Sequence, residues 1–475
     1  MKPTFAHIVR ACAVRIGAGA SIGAVCASLA GCGGIPVAFG PISERSTSNI
    51  VLTSPPRWRE TSLHSFNYTD GAYNLYAGLV FDAAGNLYGT TQSGGNYGCN
   101  ILESCGVVFE LTRGTNGKWT EKVLHSFFPS DSLGFFPRAG LIVDARGNLY
   151  GSTSSGGPYC SGSVSCGVVF ELSPNSGEWT DKVIYAFRNL TDGDGPEGAL
   201  TFDAAGNLYG TTIGGGEKDD GTIFELIPQS NGLWSKRTLH SFTRDEGDGP
   251  EDKLVFDNAG NLYGTTDREG AYRSGCDGYG CGTAFQLRPG TNGFWTVKVL
   301  HSFGKGNDGA YPVSGLTFDS AGNLFGVTSQ GGMHGAACFA YGCGTVYELM
   351  RENTDKWTER IIHDFGSGTD GNLPRGDLIL DDSGAMYGTA VLGGVYGAGN
   401  AFRLIRGSHN KWEETVLHNF GNGNDGMNPY SGMIIDRAHN LYGTTAYGGN
   451  YGTGACSKSK GCGTIFKITP PARRN

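Results

Sequence analysis

The chain has 475 residues, 80 of them glycine, with 17% charged and 39% apolar residues; 36 lysines and arginines against 44 acids leave a net charge of −8. Glycine stands at more than twice its usual share of about 7%, but it has no every-third-residue period, and 11% of the residues are aromatic, which excludes collagen and a disordered glycine-rich chain. The acidic balance disfavours a nucleic-acid partner, and a turn-dense, mostly β protein remains.

The first segment, residues 1–31, opens with Lys2, Arg10 and Arg15 and runs uncharged from Ile16 to Ala30. That is the layout of a secretory signal, too short to span a bilayer, which takes about 20 apolar residues. It leads into Leu29-Ala30-Gly31-Cys32, which resembles the bacterial lipobox and implies a lipid on Cys32 at the mature N-terminus. The alternative is an ordinary cleaved signal with Cys32 incidental. Residues 32–56 contain Ser, Thr, Pro and Gly with few large apolar residues and read as a flexible tether. The expectation is an exported, lipid-anchored protein of the bacterial cell envelope, at the outer membrane or cell surface, with a folded body over 57–470 and a tail at 471–475.

The body is repetitive. Trp58, Trp119, Trp179, Trp234, Trp295, Trp357 and Trp412 each open a strand, and Asp82, Asp144, Asp203, Asp257, Asp319, Asp381 and Asp436 recur in step with them. Seven units of about 59 residues account for the length, so repeats rather than separate domains fill the chain. Each unit predicts four strands. In the first, strand a is Gly78 to Asp82, and an Asp-x-x-Gly-Asn turn leads into strand b, Asn86 to Thr91; strand c is Gly106 to Leu111, and strand d starts at Trp119. Period-2 alternation puts Trp, Val, His and Phe on one face of strand d. Four antiparallel strands repeated radially make propeller blades. A lone d-type strand at Trp58 to Phe66 and a last unit lacking its d strand predict that the first strand completes the last blade. The fold class is therefore all-β, a seven-bladed β-propeller of 28 strands.

Gly-Leu-x-x-Asp-x-x-Gly-Asn-Leu-Tyr-Gly-Thr-Thr, Gly-Thr-Val-Phe-Glu-Leu and the Trp…Leu-His-Ser-Phe strand resemble the Gloeobacter–Verrucomicrobia tandem repeat (GloVer repeat) of secreted and surface-anchored bacterial proteins, over essentially the whole mature chain. Strands a to c are similar, more distantly, to NHL-type propeller repeats. The resemblance implies a surface location and tandem propeller-like repeats, and it brings no established activity. Departures are local: Tyr185 replaces the motif His, Phe325 the motif Tyr, and Ala385-Met386 the motif Asn-Leu.

Ten of the thirteen cysteines fall in close pairs before strand c: Cys99/Cys105, Cys160/Cys166, Cys276/Cys281, Cys338/Cys343 and Cys456/Cys462. They read as disulfides clamping long b–c loops in an oxidising compartment. Metal is the alternative, but two thiolates per loop fall short of the four ligands of structural zinc. The d–a loops carry Asp70, Asp192, Asp308, Asp370 and Asp425, with Asp131 and Asp248 at comparable places. These acids either ring the channel mouth and attract a cation or cationic partner, or serve only as turn residues. Asp192, Asp194 and Glu197 are the calcium candidates, as hard oxygen donors. Tyr97, Tyr279, Tyr341 and Tyr447 flank the cysteine loops; they either stack on a ligand or pack over their own disulfides.

His64, His125, His240, His301, His363 and His418 recur in six d strands, which points to a hydrogen bond common to every blade rather than to catalysis. No nucleophile–base pair emerges from spacing. The expected function is a monomeric, cofactor-free, non-catalytic scaffold presenting a loop-rich face to a glycan or protein ligand. The alternative is a propeller lyase or hydrolase acting on a polysaccharide or cyclic peptide at the channel mouth.

Overall fold

The computed structural model describes residues 57–73, 77–96, 105–128, 130–160, 166–188, 190–272, 276–333, 338, 342–352, 356–450, 456 and 461–472. The signal, Cys32, the tether, Cys99, Tyr97 and Tyr341 lie outside them. The strands form seven blades, each ordered a-b-c-d. Blade 1 is Val80–Phe81, Leu87–Thr91, Val107–Arg113 and Trp119–Ser126; blade 2 is Ile142–Val143, Leu149–Thr153, Val168–Asn175 and Glu178–Ala186; blade 3 is Thr201–Phe202, Leu208–Thr212, Thr222–Pro228 and Trp234–Ser241. Blade 4 is Val255–Phe256, Leu262–Thr266, Thr283–Pro289 and Trp295–Ser302; blade 5 is Thr317–Phe318, Leu324–Thr328, Thr345–Arg351 and Trp357–Asp364; blade 6 is Ile379–Leu380, Met386–Gly393, Asn400–Arg406 and Trp412–Asn419. Blade 7 takes strands a to c from Ile434–Ile435, Leu441–Thr445 and Thr464–Thr469, and its d strand from Arg59–Ser65, in antiparallel register from Arg59↔Thr469 to Ser65↔Thr464. The ring therefore closes as the sequence predicts, by main-chain pairing of the first strand with the last.

The a–b hairpin follows from its aspartate. Asp82 Oδ1 accepts hydrogen bonds from the amides of Ala84 (2.9 Å) and Asn86 (2.8 Å), and Oδ2 from the Asn86 side chain (2.8 Å) and the Tyr88 hydroxyl (3.3 Å). The same amide pair is held by Asp144, Asp203, Asp257, Asp319, Asp381 and Asp436. The glycine of strand b answers a different demand. A Cβ at Gly89 would stand 2.6 Å from the Phe109 ring, and at Gly151 the same distance from the Phe170 ring, so only glycine lets strand c lay its phenyl group across strand b.

Among the described residues, seven apolar clusters form the core, each between two adjacent blades. The single-face expectation for strand d fails here. A β-bulge lies between Val123 and His125, which pair with Phe109 and Val108, and one extra residue reverses the alternation. Trp119 and Val123 consequently pack towards blade 7, whereas Leu124 and Phe127 pack towards blade 2. Strand d thereby serves two interfaces at once.

Candidate functional site at the channel mouth

The d–a connectors are stapled on both sides. Ala72, Phe135, Asp194 and Asp248 bridge to Ser93, Ser155, Gly214 and Arg268 just after strand b of the next blade, and Gly309–Ala310, Gly371–Pro374 and Gly426–Met427 do the same as short strands. One residue further on, the amides of Tyr73, Phe136, Gly195, Tyr311 and Leu373 donate to the carbonyls of Cys462, Cys105, Cys166, Cys281 and Cys343, at 2.8–3.2 Å. The second cysteine of each pair thus carries the acceptor that holds the connector.

The cysteine pairing is as expected where it is described. Cys160–Cys166, Cys276–Cys281, Cys338–Cys343 and Cys456–Cys462 are disulfides with Cα atoms 5.2–6.2 Å apart, and Cys105 is also disulfide-bonded. These bonds mark an extracytoplasmic protein.

The acids do not form an open negative rim. Asp70, Asp131, Asp308, Asp370 and Asp425 turn inward to His64, His125, His301, His363 and His418 at 2.7–3.3 Å, and Asp308, Asp370 and Asp425 have side chains no more than 8% exposed. Asp192 instead accepts from the Tyr185 hydroxyl (2.8 Å) and from Lys236 (3.0 Å). Asp248 is misplaced in this set: Glu246 is the acid that meets His240, at 3.1 Å. It stands six residues after the histidine, where the other repeats place their acid six or seven after, and that count identifies it. The calcium set also separates. Asp192 is taken by Tyr185 and Lys236, Glu197 is gripped by Arg138 with two 2.7 Å hydrogen bonds, and Asp194 sits at the bridge to Gly214. Of the described candidate tyrosines, Tyr279 is 64% exposed, while Tyr447 packs edge-on against Tyr73 at 5.4 Å.

What breaks the seven-fold repetition is the residue six positions before each turn aspartate: Tyr76, Arg138, Glu197, Glu251, Val313, Arg375 and Tyr430. Motif comparison passes over this column because its residues differ. Tyr76 lies outside the described residues; the other six line a central cavity of about 260 Å³ to which all seven blades contribute. The next two positions, small in most repeats, become Asp252 and Lys253 in blade 4 and Gly376 and Asp377 in blade 6. Lys253 pairs with Asp377 at 2.6 Å, and Arg375 lies over the Tyr430 ring at 5.9 Å. A second cavity of about 360 Å³ shares Val313 and Arg375 with the first and adds Asp267, Arg268, Tyr279 and Tyr311.

The cavity shifts its own acids. Burial raises the Glu251 carboxyl, reinforced by Glu197 and offset by Arg375, Arg268 and Arg138. Asp252 is raised well above its usual range by burial and then by Asp377 and Glu251. Burial likewise raises Glu197 despite Arg138. Cations, acids and tyrosines crowd these two adjoining cavities, a concave and polar lining of the kind that orients a bound ligand.

The Gloeobacter/Verrucomicrobia repeat is matched over residues 48–276, 159–338 and 273–474. The chain belongs to this family. No curated protein matches it. Among solved structures, a fungal alcohol oxidase in complex with copper is similar with a TM-score of 0.51, 14% identity, and coverage of 88% of this chain and 79% of its own. PorZ of Porphyromonas gingivalis, an essential surface component of the type-IX secretion system, has a TM-score of 0.47 and 12% identity, covering 83% of this chain and 46% of its own. A Thermus thermophilus oxidoreductase described as a glucose dehydrogenase has a TM-score of 0.39 and 14% identity, covering 86% and 99%. At these identities the alcohol oxidase speaks for the propeller fold alone.

Proposed function

We propose that this family member is a lipid-anchored, monomeric envelope propeller that binds a glycan at its channel mouth without turning it over. One observation carries the reading: in a chain that repeats its motifs seven times, the column facing the cavity holds unlike residues, two arginines, two glutamates and tyrosine among them. A structural position repeats with the blades; a recognition position varies with the shape of an asymmetric ligand. Tyr279, Tyr311 and Tyr430 offer stacking faces, and Arg138, Arg375 and Glu251 offer hydrogen bonds to hydroxyl and carboxylate groups. The disulfides and the family's surface proteins support an extracytoplasmic setting, and Cys32 supplies the anchor.

The test is a glycan screen of the full-length protein with product analysis, repeated with Arg375→Ala. A bound glycan whose affinity falls at least tenfold in the variant supports the site; an unchanged affinity removes it. For the anchor, Cys32→Ala releases the protein from membranes on fractionation, and retention there defeats lipidation at that residue. A second reading has its own observation: the raised carboxyls of Glu251 and Asp252 are suited to general-acid work. Turnover abolished by Glu251→Gln replaces the binder with an enzyme.

A further inference from the structure

Among the described residues, four successive blade interfaces carry the same trio. His301, Asp308 and Glu359 meet between blades 4 and 5; His363, Asp370 and Glu414 between blades 5 and 6; His418, Asp425 and Glu60 between blades 6 and 7; and His64, Asp70 and Glu121 between blades 7 and 1. In each, one nitrogen and two carboxylate oxygens lie within 4.8 Å of one another. The histidine and aspartate come from strand d and connector of one blade, and the glutamate from the position two after the tryptophan in the next.

Three observations bear on what these trios hold. First, the Oε1 atoms of Glu60, Glu121, Glu359 and Glu414 are buried with no hydrogen-bond partner, as is Oδ1 of Asp370, whose side chain is 6% exposed. Acceptors are left facing acceptors, an arrangement that costs free energy unless a proton or a cation sits between them. Second, the chain contains the answer at another interface. Between blades 2 and 3 the glutamate position is Lys236 and the histidine position is Tyr185; the lysine ammonium lies 3.0 Å from Asp192, and the Tyr185 hydroxyl caps the same carboxylate. Where the chain supplies its own cation, the nitrogen ligand is gone. Third, the trio His301, Asp308 and Glu359 lines an open hollow that also includes Tyr272 and Lys305, so open space lies directly beside the trio.

We propose that each His/Asp/Glu trio binds one divalent transition-metal ion, giving four metal sites in an arc of blades. One imidazole and two carboxylates are the mixed nitrogen and oxygen donors that zinc, cobalt or manganese accept, with water completing the sphere. The ions would join neighbouring blades through their outermost strands. Two of them would grip the ring-closing strand from opposite sides, since Glu60 faces blade 6 and His64 faces blade 1.

The test uses the full-length protein stripped with chelator, loaded with Zn²⁺ or Co²⁺, and measured by elemental analysis and the visible spectrum of the cobalt form. Four ions per chain are expected, with one lost in each of Glu359→Gln and Glu414→Gln. The double variant Tyr185→His, Lys236→Glu rebuilds a fifth trio around Asp192 and is expected to take up a fifth ion. Such a gain cannot come from misfolding. Absence of tight Zn²⁺ or Co²⁺ binding, or a count unmoved by these substitutions, overturns the proposal.

Discussion

The repeated frame of each blade, the shell of contacts common to all seven, and the channel mouth obey opposite rules. In the shell, Asp82 and its six counterparts hold the same two amides, and a phenyl or phenol ring lies across the glycine of strand b in every copy. At the mouth, Arg138, Glu197, Glu251, Val313, Arg375 and Tyr430 occupy one column with little in common. The shell's residues face identical neighbours seven times and converge on one solution. The column faces a shared central space, where each residue adds to a single asymmetric surface. Stability and recognition are thus assigned to different positions within each repeat of this molecule.

That separation is tested by variants that damage one rule and spare the other. The largest loss is expected from Gly151→Val, because even a Cβ would lie 2.6 Å from the Phe170 ring and 2.8 Å from Leu141; overpacking of this kind costs about 3 kcal/mol, read by urea unfolding. A loss under about 0.5 kcal/mol shows that the ring-over-glycine contact is not what fixes the blade. Asp203→Ala leaves the amides of Ala205 and Asn207 and the Asn207 side chain without their acceptor, for about 2 kcal/mol, with glycan affinity unchanged. Removing the Cys276–Cys281 bond by paired serine substitution is expected to cost close to that, about 2 kcal/mol for so short a loop. It should also weaken glycan binding, because Tyr279 lies within that loop; the Cys456–Cys462 pair, far from the second cavity, is the control that loses stability alone.

The smallest effect has the opposite sign. Asp252→Asn removes a buried carboxyl whose pKa is raised by burial, Asp377 and Glu251. A raised acid favours the protonated fold, so its contribution is fully present below the ordinary value of 3.8 and is lost as pH rises past it. The variant should therefore melt slightly higher than the parent at pH 7.5, with the gap narrowing towards pH 4, while its glycan affinity falls. A variant that melts lower at pH 7.5 places Asp252 in the stabilising shell.

Much of the blade architecture was legible because tandem copies print each structural requirement seven times. Trp58 to Trp412 gave the period, and Asp82 to Asp436 gave the hairpins. The bulge before His125 escaped because every d strand carries the same extra residue, so no copy looks irregular; Trp119 and Phe127 then seem to share a face they do not share. Glu246 was passed over for Asp248 because an Asp-Gly pair is a stronger turn signal than a glutamate. The channel column escaped for the converse reason: a search for recurring residues discards the positions where they differ. The pairing of Glu121 with His64 links positions 57 residues apart on neighbouring blades, which no local spacing encodes.

The strand Arg59–Ser65 pairs with Thr464–Thr469, so the first strand to leave the ribosome is among the last to find its partner. Blade 7 stays without its outer strand until residue 469 is available, and the loop to be closed spans nearly the whole body. Closing so large a loop is entropically costly and kinetically late. A chain built this way cannot complete its ring until the last blade's third strand is available, which makes ring closure the late, committing step of its folding.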